Sequence, residues 1–75
     1  MNIYGNSGGD SGVRAYEFDS NSIQVEFSDL SVYEYTSSSV GSSNLAIMKN
    51  LASTGSGLNS FINLNVKFKY SRKIR

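Results

Sequence analysis

Hydrophobic residues alternate with polar ones in three short runs, recur at helical spacing in a fourth, and fit both periods in a fifth. The clearest run places Ile23, Val25 and Phe27 against Gln24, Glu26 and Ser28, the pattern of a strand with one buried face. Ahead of it, Val13 and Ala15 fall on one side and Arg14, Tyr16 and Phe18 on the other, which suits a strand with its aromatics inward. Behind it, Val32-Tyr33-Glu34-Tyr35-Thr36 puts Tyr33 and Tyr35 on one face and Val32, Glu34 and Thr36 on the other. The turn formers Asp19-Ser20-Asn21-Ser22 and Ser28-Asp29-Leu30-Ser31 separate the runs. The pattern predicts a three-stranded antiparallel meander with one apolar face.

The low-complexity stretch Ser37-Ser38-Ser39-Val40-Gly41-Ser42-Ser43 ends the sheet and offers Ser42 or Ser43 as a helix N-cap. Leu45, Met48, Leu51 and Ala52, with Ile47 beside them, form the stripe of an amphipathic helix over 43–53. Gly55, following Thr54, can take the left-handed conformation that closes such a helix. Beyond the Gly55-Ser56-Gly57 corner the periods conflict. Ile62, Leu64, Val66, Phe68 and Tyr70 alternate as a strand would, whereas Leu58, Phe61, Ile62 and Val66 fit a helix.

The first twelve residues, with Gly5, Gly8, Gly9 and Gly12 among Asn, Ser and Asp, read as a flexible leader. Gly9-Asp10-Ser11-Gly12 matches the nucleophile segment of trypsin-like proteases. A nucleophilic serine needs a base, and the chain has no His, so the match is a chance one. The absence of Cys removes disulfides, thiolate ligands and thiol nucleophiles. The six carboxylates do not fall into a calcium-loop pattern, and no metal or cofactor is expected. Gly55-Ser56-Gly57 is too short for a phosphate-binding loop. With no recognisable catalytic arrangement in 75 residues, and little room for a substrate cavity of several hundred Å³, the expectation is a non-enzyme. No apolar run approaches a membrane span and no signal segment opens the chain, so a cytoplasmic location is expected.

Charge changes the picture most. Residues 1–35 hold all six acids against Arg14 alone, a net of −5, and residues 36–75 hold six bases and no acid, a net of +6. Either the halves attract one another, within one chain or across a homodimer, or the basic end meets an external polyanion.

The motif Phe27-x-x-Leu30-x-x-Tyr33-x-Tyr35, then Leu51-Ala52-Ser53-x-Gly55, then Gly57-Leu58-Asn59-Ser60-Phe61-Ile62-Asn63-x-x-Val66, resembles the KTSC domain over Val13 to Tyr70. That family occurs at the C-terminus of some lysyl-tRNA synthetases and as short free-standing bacterial and phage proteins. The resemblance implies an α+β fold: a three-stranded antiparallel meander packed by one α-helix and by a second short helical segment over 58–66. A leader (1–12), the domain (13–70) and a basic tail (71–75) would then divide the chain. At Leu30 the family usually has Gly. Leucine resists positive φ, so a different turn type is expected between the second and third strands. The synthetase association implies contact with RNA only by analogy.

Two binding roles follow. Lys67, Lys69, Tyr70, Arg72, Lys73 and Arg75, interleaved with Phe68, would give phosphate contacts and stacking rings to RNA or single-stranded nucleic acid. This requires the basic segment to project away from Glu26 and Glu34. Alternatively Tyr33 and Tyr35 with Glu26 and Glu34 would dock a protein partner, as in a phage-type inhibitor of a host nucleic-acid-handling or defence complex.

Overall fold

The meander is present, and the chain widens it at both edges. The computed structural model describes residues 1–6 and 12–75. Strands β1 (Asn2–Ile3), β2 (Val13–Phe18), β3 (Ser22–Phe27), β4 (Val32–Thr36) and β5 (Arg72–Lys73) form one antiparallel sheet in the order β1-β2-β3-β4-β5. Helices α1 (Ser37–Val40), α2 (Ser42–Thr54) and α3 (Leu58–Phe61), the last running into a π-helical turn at Ile62–Val66, complete an α+β fold. The sheet therefore has five strands rather than three. No described helix is long and apolar enough to cross a membrane.

Antiparallel register decides which side chains share a face. Val25 lies opposite Tyr33 and Ile23 opposite Tyr35, and these belong to the core. On β2 a bulge between Val13 and Ala15 breaks the simple alternation. Val13 then shares the inner face with Tyr16 and Phe18, opposite Phe27, Val25 and Ile23, while Ala15 stands opposite Glu26 on the outer face. Tyr16 accordingly packs on the core, stacked on Phe18 at 6.0 Å, and Phe18 reaches the exposed rim.

Two parts of the expected leader are ordered. Asn2 and Ile3 pair with Tyr16 and Ala15, and Tyr4 is buried in the core with its hydroxyl accepting the Leu58 N–H at 3.1 Å. Residues 7–11, and with them most of the Gly9-Asp10-Ser11-Gly12 match, lie outside the described residues.

Between β3 and β4, Leu30 N–H donates to the Phe27 carbonyl and Phe27 N–H to the Ser31 carbonyl, giving a three-residue hairpin loop. Its last residue must be left-handed, and Leu30 adopts φ 74°. Leucine, expected to resist positive φ, takes the position at some strain. At the far end of β4, Thr36 and Ser39 form a reciprocal capping box that starts α1, in a stretch that composition alone assigns to a loop. The N-cap of α2 is Gly41, with Ser42 and Ser43 already inside the helix.

Leu45, Met48 and Ala52 bury the α2 stripe, leaving Ile47 exposed. Gly55, at φ 77°, closes it: Gly55 N–H donates to Ala52 and Ser56 N–H to Leu51. After the corner, Leu58, Ile62 and Val66 are buried. Residues four apart drift ~40° per step on an α-helix, and the wider π-turn brings the third back toward the core. The strand-like alternation is thus split by helical geometry. Ile62 and Val66 point inward, whereas Leu64 and Phe68 are 82% and 83% exposed.

Candidate functional site

Residues 71–75 are not a free tail. Ser71 N–H donates to the Glu34 carbonyl and Ile74 N–H to the Val32 carbonyl, so the segment continues the sheet beside β4. Arg72 stands opposite Glu34 on the outer face, and Arg75, past the two-residue strand where the Ile74 and Arg75 amides both donate to the Val32 carbonyl, reaches the same face. There Arg72 Nε donates to Glu34 at 2.9 Å, and Arg75 joins Arg14 on the two oxygens of Glu26. Glu26 is 6% exposed and needs both partners, because a carboxylate taken out of water must be compensated. The opposed charges of the two halves therefore meet within one chain at these residues, and Arg72 and Arg75 do not project away from Glu26 and Glu34.

Lys73 takes the other direction. Opposite Tyr33 in register, it carries its Nζ to 5.8 Å from that ring's centroid. Tyr33 also meets Tyr70 edge-on at 4.7 Å and Phe27 edge-on at 5.8 Å. These rings wall an open cleft of about 410 Å³ between the β3–β4 turn, strand β4 and the segment after the π-turn. The room for a cavity of several hundred Å³ that the chain length argues against is thus present. Lys67 also lines the cleft, with Nζ 5.4 Å from the Phe68 centroid, and Phe68 borders a smaller depression beside Leu64 and Lys69. Among the described residues, none of Lys67, Lys69 and Lys73 is in an ion pair.

Among the described residues, Asp29 contributes the one carboxylate of the cleft wall. Its Oδ1 accepts from Ser31 Oγ at 2.6 Å and from Ser31 N–H at 3.0 Å. The Ser31 hydroxyl, then its amide, holds the Asp29 carboxyl below the usual carboxylate range, so it is charged at neutral pH. Sequence reasoning reads Asp29 and Ser31 only as turn formers. The Asp-x-Ser spacing is the signal that an ordered carboxylate sits there.

The residues expected to dock a protein are dispersed. Tyr35 is 2% exposed, and burial, aided by the neighbouring Tyr33 and Tyr70, pushes its hydroxyl pKa up to about 12. It is a core residue whose edge reaches only the floor of the cleft. Tyr33 is on the inner face, whereas Glu26 and Glu34 are on the outer face beneath arginines. The four do not form one surface. Of the basic set, Lys67 and Tyr70 line the cleft, Lys73 lies against the ring of Tyr33, Lys69 lies beside Phe68, and Arg72 and Arg75 are on the opposite face.

No family model, no curated protein and no solved structure matches this chain.

Proposed function

We propose that the protein is a non-catalytic module that binds single-stranded nucleic acid, RNA in the first instance, across the cleft and the Lys67–Lys73 segment. One observation carries this reading: Phe68 presents an 83% exposed ring between two lysines that, among the described residues, are in no ion pair, next to the Tyr33–Tyr70 pair and Lys73. Exposed rings between unpaired cations are what sequence-tolerant single-strand binding uses, with stacking worth ~1–3 kcal/mol per base. Arg72 and Arg75 drop out of the contact, because their charge is engaged at Glu34 and Glu26. A homodimer built on those same charges is not part of the reading.

Kinship with the KTSC domain is likewise a proposal. It rests on the quoted residues and on the order of meander, long helix, glycine corner and second helix.

The test is titration of a labelled single-stranded RNA at increasing salt. Three lysines at the phosphates predict a slope of about −2 in log K against log salt. Replacing Lys67, Lys69 and Lys73 by Gln should flatten it, and lack of binding at low salt refutes the proposal. A second reading, a protein-docking module of the inhibitor kind, is favoured by the exposed Leu64 beside Phe68. It predicts that Leu64→Ser abolishes capture of a host protein and leaves RNA titrations unchanged.

A further inference from the structure

Resting on the single-strand reading, we infer that the cleft takes one unstacked base and selects bases that carry an exocyclic amino group, cytosine over uracil. Three features of the cleft carry this. Its walls are ring faces and edges from Phe27, Tyr33, Phe68 and Tyr70, which any base can stack against. Its volume, about 410 Å³, lies within the range of clefts that enclose a small planar guest. Two cations lie against its rings, Lys67 of the lining on Phe68 and Lys73, outside the lining, on Tyr33, so that the phosphates flanking an inserted base meet positive charge.

Selection comes from Asp29. Ser31 occupies Oδ1 twice and fixes the carboxylate, so the remaining acceptor capacity is on Oδ2. An ionised carboxylate accepts hydrogen bonds and has none to donate. The N4 amino group of cytosine donates to it. Uracil places a carbonyl oxygen at the same ring position, setting lone pair against lone pair. The two rings are otherwise matched in size and stacking face, which makes the pair a clean comparison. Adenine, with its N6 amino group, is accepted for the same reason.

The experiment compares labelled oligocytidine and oligouridine of about eight nucleotides, a short single-strand site, against the full chain by fluorescence anisotropy at low salt. Oligocytidine should bind about tenfold more tightly, the worth of one charge-assisted hydrogen bond. Asp29→Asn keeps an oxygen for Ser31 and replaces the other by an amide donor. The ratio should then fall to about one or below. Equal binding of both oligomers by the unmodified chain overturns the base selection and leaves the single-strand reading standing. Binding of neither removes both. A cytidine preference that survives Asp29→Asn overturns the assignment to Asp29.

Discussion

Tyr4 and Leu58 are 54 residues apart in the chain, and the Leu58 amide donates to the Tyr4 hydroxyl inside the core. That amide opens α3, where no side chain caps the helix, so the phenol does a cap's work from across the molecule. The contact is reinforced next door, where a Cβ built on Gly55 would stand 2.9 Å from the Gly5 Cα. Tyr4→Phe should cost about 1–2 kcal/mol in urea unfolding, since it leaves a buried amide unpaired while keeping the ring. Gly55→Ala should cost more, combining that clash with φ 77°. Unchanged midpoints for both would show that the N-terminal segment is not held this way.

Leu30 predicts a gain. Its φ of 74° strains a residue with a Cβ, and its side chain is largely exposed. Leu30→Gly should stabilise the fold by about 1 kcal/mol, the strain relieved outweighing the extra freedom of the unfolded chain. A lower unfolding midpoint would mean that the leucine side chain has a packing role.

Glu26 between Arg14 and Arg75 predicts non-additivity. Either arginine alone removed leaves the buried carboxylate one partner, at a cost of about 1 kcal/mol. Removing both strands it, at about 3 kcal/mol or more. A double-mutant cycle in which Arg14→Ala and Arg75→Ala simply add would show that the two do not share the charge.

Tyr35 predicts an alkaline limit. A phenol whose pKa is raised from 10 to about 12 on folding keeps its proton longer in the folded state. The associated stability is complete below pH 10 and is lost as the pH rises through about 12, some 3 kcal/mol in all. Tyr35→Phe should flatten stability over that interval relative to the unmodified chain. An unaltered slope would assign the alkaline loss to other groups.

Phe68 separates binding from folding. Truncation to Ala should leave the unfolding midpoint within about 0.5 kcal/mol, as is usual for an exposed side chain, and weaken single-strand RNA binding about tenfold. If both quantities fall together, Phe68 is structural.

The local signals in the sequence were reliable where one element suffices. Ile23-Val25-Phe27 and the Leu45-Met48-Ala52 stripe lie where their periods put them, and Gly55 closes α2 in the left-handed conformation. Signals failed where a partner distant in sequence decides. Nothing near Tyr4 indicates that Leu58 needs an acceptor, and nothing near Arg72 indicates that β4 has a free edge. The bulge at Arg14 reverses a face without changing a single residue type. The cleft was legible only in part: Lys67 and Tyr70 stood out by charge and ring, but Asp29 and Phe27 join them only because the hairpin folds over the end of the π-turn.

The two outermost strands, β1 and β5, are each two residues long. An incoming chain seeking to extend the sheet finds only a two-residue strand on either side. Brief edges of this kind are how sheets avoid polymerising side by side into fibres. Strands β1 and β5 thus act as stoppers. Loss of either strand would uncover the longer β2 or β4 and turn a contained sheet into a template for aggregation.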